Sequence, residues 1–134
     1  MTWLAGPTVL LVVTLCVSSA QDNATVWLNY PRRMITTHRG SSVKLSCDAI
    51  YNLKRCGLVH VEWCNFTKKC AKLTDSSRYF TTVNETAVDE NTRRRQVVTE
   101  ILNVTTEDDG QFQCNAHCEG ESALGHYIIV KVEG

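Results

Sequence analysis

Asp108-Asp109-Gly110-Gln111-Phe112-Gln113-Cys114 is the stretch that decides the architecture. A turn-forming Asp-Asp-Gly gives way to strict alternation. Phe112 and Cys114 fall on one face and Gln111 and Gln113 on the other, which is the pattern of a half-buried strand. Working outward, the same period recurs. Val43, Leu45 and Cys47 share one face while Ser42, Lys44 and Ser46 share the other. Val59, Val61 and Trp63 repeat it, Ile101 and Val104 end another run, and Tyr127-Ile128-Ile129-Val130-Lys131-Val132 is rich in β-branched residues. Turn residues separate the runs at Arg39-Gly40-Ser41, Asp75-Ser76-Ser77, Asp108-Asp109-Gly110 and Glu119-Gly120-Glu121. The stretch from Asn84 to Arg95 is polar and charged and reads as a loop with weak strand ends. No sustained helical period, internal repeat, low-complexity tract or linker is present. Short strands at regular spacing predict an all-β sandwich or barrel.

Three positions then combine. Cys47 ends one alternating strand, Trp63 lies sixteen residues later in a second, and Cys114 lies 67 residues after Cys47 in a third. This resembles the immunoglobulin signature, a Cys, a core Trp and Asp-x-Gly-x-Tyr-x-Cys, and implies an immunoglobulin-like Greek-key β-sandwich. The physics is coherent: a disulfide between strands of opposite sheets pins the layers, and the indole packs on it. A bridge closing so long a loop contributes on the order of 4 kcal/mol. Phe112 stands where the signature has Tyr, so the corner hydroxyl bond cannot form, though the ring still fills the space. Arg78 opens Arg78-Tyr79-Phe80-Thr81 at the place of an Arg that pairs with the strand Asp, which suggests a structural Arg78–Asp108 ion pair.

The chain has 134 residues, enough for one domain. Residues 8–17 are an apolar run followed by Ser18-Ser19-Ala20, small residues of the kind a signal peptidase reads. Residues 1–20 are therefore read as a signal peptide and 21–134 as one immunoglobulin-like domain of the variable or intermediate type. No second apolar stretch follows Ala20, so no membrane span is expected, and a receptor anchor would have to lie outside this sequence. Of seven cysteines, Cys16 falls in the leader, and an even six remain: Cys47, Cys56, Cys64, Cys70, Cys114 and Cys118. That count in a short exported chain reads as a disulfide framework. Four Asn-x-Ser/Thr sequons, at Asn23, Asn65, Asn84 and Asn103, agree with a glycoprotein that is secreted or faces outward from the plasma membrane. Fourteen basic against fourteen acidic residues give zero formal charge and no field to attract nucleic acid.

Six cysteines allow 15 pairings. Cys64 and Cys70 bracket five residues and can close a small loop behind Trp63. That leaves Cys56 and Cys118, in two loops that share one end of an immunoglobulin domain. His117 beside Cys118 and His60 before Cys64 raise zinc, but the close paired spacing zinc sites use is absent and the compartment is oxidising, so no metal or other cofactor is expected. Arg93-Arg94-Arg95 reads as a solvated loop, with a heparin-like polyanion or acidic partner as the alternative. No Gly-x-Ser-x-Gly elbow or comparable context appears, so the chain is not read as an enzyme. Gly125 stands without the Phe-Gly-x-Gly bulge of antigen-receptor variable domains, so an antibody-like heterodimer is not expected.

The run Cys56-Gly57-Leu58-Val59-His60-Val61-Glu62-Trp63-Cys64-Asn65-Phe66-Thr67-Lys68-Lys69-Cys70-Ala71-Lys72-Leu73 resembles the ectodomain of the B- and T-lymphocyte attenuator family. The most specific element is Cys64 directly after the core Trp, and the resemblance extends from about Thr36 to Val132. It implies an inhibitory lymphocyte receptor that negatively regulates immune-cell activation. The implied partner is the herpesvirus entry mediator, a protein of the tumour-necrosis-factor-receptor type. The family binds through the sandwich edge formed by the first strand; a free edge offers unpaired backbone groups to a partner strand. His60 and the region Trp27 to Arg33, with Trp27, Arg32 and Arg33, are the positions carried over. The ordinary readings are an exposed strand residue for His60 and an edge-packing residue for Trp27. In the family the loop cysteine pairs with one near the mature N-terminus, and residues 21–46 here contain none.

Two readings follow. In the first, the chain is the binding domain of such an inhibitory receptor, or a soluble form of it. In the second, it is a secreted adhesion or innate-immune immunoglobulin module with another protein partner. A transmembrane helix and tyrosine motifs in downstream coding sequence would favour the first.

Overall fold

The computed structural model describes residues 25–134. The leader reading, Cys16 and Asn23 lie outside them. Nine strands form two sheets: β1 (Val26–Asn29), β2 (Met34–His38), β3 (Val43–Asn52), β4 (His60–Asn65), β5 (Ala71–Lys72), β6 (Tyr79–Ala87), β7 (Thr92–Ile101), β8 (Gly110–Cys118) and β9 (Glu121–Glu133). A four-stranded sheet runs β1-β3-β7-β6, and a five-stranded sheet runs β2-β9-β8-β4-β5. All pairs are antiparallel except β2 with β9, whose parallel register sets Met34 beside Ile129 and His38 beside Glu133.

The first strand region is broken by Pro31. Its ring supplies no N–H to a ladder, and the chain leaves the four-stranded sheet after Asn29 to join the five-stranded one at Met34. Tyr30 at the crossing is buried; its hydroxyl donates to the His126 carbonyl and accepts from the Cys114 N–H at 3.3 Å. Burial pushes that phenol above its usual pKa, and the bond from the Cys114 N–H pulls the other way. Gly125 makes room for this contact, since a Cβ there would fall on the Tyr30 hydroxyl and 2.7 Å from the Cys114 carbonyl oxygen.

The core lies where the sheets face each other. Leu45, Cys47, Ile101, Val104, Phe112, Cys114 and Val130 have no measurable exposure. Cys47 on β3 is joined to Cys114 on β8 across the layers, with Cα atoms 6.4 Å apart. Trp63 belongs to the same cluster, donates Nε1–H to the Val97 carbonyl at 3.3 Å, and meets Tyr30 edge-on at 5.2 Å between centroids. A smaller cluster of Val26, Ala49, Tyr51, Val59 and Ala116 surrounds the second bridge, Cys56–Cys118. Cys56 is positioned by one helical turn, α1 (Leu53–Cys56), whose start is capped by Asn52 accepting from the N–H groups of Lys54 and Arg55.

The stretch from Asn84 to Arg95 is not a loop. It holds the last four residues of β6 and the start of β7, whose hairpin pairs from Tyr79 opposite Ile101 to Ala87 opposite Arg93. Asp89 caps the turn by accepting from the N–H groups of Asn91 and Thr92. Polar composition hides the strand because β6 is an edge wetted on both faces. The three arginines therefore alternate. Arg94 points outward, 4.0 Å from Asp48, while Arg95 reaches across to the Val59 carbonyl and Glu85, both at 2.9 Å.

Candidate binding surface

The outer face of the five-stranded sheet carries apolar side chains that are partly open to solvent. Inward residues of β9, Ile128 and Val130, fill the core, while Tyr127 and Ile129, which alternate with them, are apolar too and face solvent. Met34 on β2 is 60% exposed and sits beside Ile129. Phe66 opens a 3-10 turn (Phe66–Lys68) and stacks on Tyr127 at 4.5 Å between centroids. Leu124, 71% exposed, extends the face along β9. Arg32, Arg33, Gln111 and Met34 line a shallow cleft with Tyr127 and Ile129. Neither arginine is in any ion pair among the described residues.

The Cys64–Cys70 bridge builds this surface. Cys64 follows the inward Trp63 and so points outward, opposite Gln113 of β8. Its bridge to Cys70 spans 4.8 Å between Cα atoms and folds residues 65–69 back over the sheet. The loop closes through Lys69 and Cys70, both with positive φ (56° and 53°), a conformation that costs non-glycine residues free energy. Thr67 Oγ1 accepts from the Gln111 N–H at 2.8 Å, and Asn115 Nδ2 lies 3.3 Å from Cys70 Sγ. Phe66 is thereby held against Tyr127.

The four residues carried over as partner-binding do not form one surface. Trp27 faces outward from the four-stranded sheet, on the far side of the sandwich. His60 is on the outer face of the five-stranded sheet, but at the end beside His117, Glu62 and Lys72. Arg32 and Arg33 lie at the other end, at the crossing. The Pro31 break is the reason: what reads as one strand from Trp27 to Arg33 is divided between sheets.

Arg78 Nη2 donates to both oxygens of Asp108, at 2.7 and 2.8 Å. Burial works against the guanidinium charge, but the Asp108 charge, the Tyr79 phenol, the hydrogen bond to Asp108 and the Glu107 charge together overrule it and raise the Arg78 pKa. Asp108 also accepts from the Thr105 N–H at 2.9 Å, completing a capping box with Thr105. Glu85 is set between the Tyr51 hydroxyl and Arg95. Burial pushes its carboxyl up, and those two hydrogen bonds with the charges of Arg95 and Arg93 overrule it, leaving it below the usual range. Of the sequons, Asn84 and Asn103 are exposed. Asn65 is buried, 4% exposed, inside the loop that the Cys64–Cys70 bridge closes. Among the described residues no three His, Cys, Asp or Glu side chains stand close enough to hold a metal ion. No described helix is long and apolar enough to cross a membrane.

Solved structures carry the same layout. The tandem Ig repeats of Dlar superpose with a TM-score of 0.57 at 16% identity, over 81% of this chain and 46% of that one. The N-terminal Ig1-2 module of the Drosophila receptor protein tyrosine phosphatase DLAR superposes with a TM-score of 0.55 at 15% identity, over 83% of this chain and 48% of that one. The fold is that of an immunoglobulin domain. The chain spans about half the length of the solved chains it matches. No protein-family model matches it, and no curated protein does. The three disulfides suit an oxidising compartment.

The apolar outer face was missed from sequence, although a signal existed. Tyr127-Ile128-Ile129-Val130 is apolar at both parities, which a strand wetted on one face does not need.

Proposed function

We propose that this immunoglobulin domain is the ligand-binding part of an inhibitory lymphocyte receptor of the attenuator type, or a soluble form of it, acting outside the cell by protein binding and not by catalysis. The supporting observation is the Cys64–Cys70 bridge. The element that carries the family resemblance, a cysteine directly behind the core Trp, is the one that holds Phe66 on Tyr127 and shapes the exposed apolar face. The proposed contact surface is Met34, Phe66, Tyr127 and Ile129 with Arg32 and Arg33. Apolar centres with a polar rim are the anatomy of protein interfaces. His60 and Trp27 fall outside it.

The test is surface plasmon resonance of the secreted chain against a herpesvirus-entry-mediator-type ectodomain. Micromolar or tighter binding is expected, weakened at least tenfold by Ile129→Asp and unchanged by Trp27→Ala. Absence of binding by the native chain at micromolar concentration would remove the attenuator reading and leave an adhesion or innate-immune module with another partner.

A further inference from the structure

Among the described residues each sheet of this sandwich has two free edges, and three of the four are blunted. β1 has four residues and β5 two. β2 has five, and Arg32, Arg33 and Arg39 flank it. Short edges and flanking cations are the usual means of discouraging strand addition. β6 has neither. It runs nine residues, Tyr79-Phe80-Thr81-Thr82-Val83-Asn84-Glu85-Thr86-Ala87, pairs with β7 along its whole length, and has no strand of the described residues on its other side. It contains no Lys, Arg or Pro. Its one charge, Glu85, is drawn to Tyr51 and Arg95 and does not guard the edge. Phe80 and Val83 are each 58% exposed. Such a strand is a template for a second copy of itself.

What β6 does carry is an exposed sequon, Asn84-Glu85-Thr86. Asn84 alternates with Val83, which lies beside the buried Val97 on the core-side parity, and so points off the outer face of the four-stranded sheet, within the free edge. We infer that Asn84 bears an N-linked glycan whose role is to keep β6 from pairing with β6 of another copy. Backbone hydrogen bonding is self-complementary in an antiparallel two-fold pair. Centred on Val83, such a pair would set Asn84 opposite Thr82 of the copy. The two Asn84 side chains would then lie on one face about 7–8 Å apart, too close for two branched sugars. Removing the sugar removes the obstacle. The inference depends on export, which delivers the chain to the glycosylation machinery, and not on the identity of any ligand.

The experiment expresses the whole chain in a secreting mammalian host. Glycopeptide mass spectrometry reads Asn84, and light scattering after size exclusion reads mass at about 100 μM. The native chain should be glycosylated at Asn84 and monomeric. Asn84→Gln and Thr86→Val, which destroy the sequon from either end, should each double the mass, while Asn103→Gln should not. Adding Thr82→Lys to Asn84→Gln should restore the monomer. Should the variants fail to be secreted, endoglycosidase trimming of the folded native chain supplies the same comparison. An unmodified Asn84, a monomeric sugar-free chain, equal dimerisation by Asn103→Gln, or a dimer indifferent to Thr82→Lys would each overturn the inference. Failure to bind the ectodomain named above would leave it untouched.

Discussion

Replacing Arg78 by Ala should cost more than replacing its partner, although both break the same ion pair. The Asp108 side chain is 3% exposed and that of Arg78 is 32% exposed. Losing Arg78 strands a buried carboxylate, and breaking a buried pair from one side costs about 3–5 kcal/mol. Asp108 keeps the Thr105 N–H, which places the loss at the low end, about 3 kcal/mol. Asp108→Ala leaves a guanidinium that can turn to water, so the pair contributes less, while the lost capping box adds about 1 kcal/mol; about 2 kcal/mol in all is expected. The double variant has no stranded charge and should lose about 3 kcal/mol rather than the sum, a coupling of about 2 kcal/mol. For a domain of this length the Arg78→Ala loss corresponds to a fall in Tm of about 12 °C. The assay is equilibrium urea unfolding at pH 7, followed by tryptophan fluorescence, with all four corners of the cycle. Single losses below about 1 kcal/mol, or a double variant additive within about 0.5 kcal/mol, would show that the contact does not hold this end of the sandwich.

Acidification should expose the Glu85 network. Its folded pKa is depressed, so its contribution is complete above the ordinary carboxylate value and is lost as pH falls through the folded one; Glu85→Gln should flatten the stability curve below about pH 4.5 in urea titrations across pH. The bridges should rank by loop length. Removing Cys64–Cys70, which closes six residues, should cost about 2 kcal/mol, and removing Cys56–Cys118, which closes 62, about 4 kcal/mol, both read from urea midpoints of Ser double variants. Gly125→Ala should lose about 1–3 kcal/mol through collision with Tyr30. Tyr30→Phe in the same chain should recover part of it in thermal melts.

The fold was legible where burial imposes a period on the sequence. Val43 to Cys47 and Val59 to Trp63 bury one face more than the other, so alternation marks them; Phe112 and Cys114 alternate with glutamines although Gln113 is itself buried. The hairpin of β6 and β7 was not legible, because an edge strand wetted on both faces has no apolar period and its arginines look like loop residues. The binding surface was half legible. The cysteine behind Trp63 announced something unusual, but sequence does not reveal that the closed loop lays Phe66 on Tyr127. Nor did the region from Trp27 to Arg33 reveal its division, although Pro31 stood in plain view. A proline inside a strand-like run demotes it, and the crossing to the other sheet followed from that residue.

The crossing at Pro31 has a mechanical consequence. β2 runs parallel to β9, in register over five residues from Met34–Ile129 to His38–Glu133. Tension drawn between Val26 and Glu133 pulls these two strands past each other lengthwise, so their evenly spaced hydrogen bonds are strained together instead of parting one at a time. A module hung between two cell surfaces by its ends would yield in shear, at a force set by five residues of ladder, before the buried Cys47–Cys114 staple bore any load.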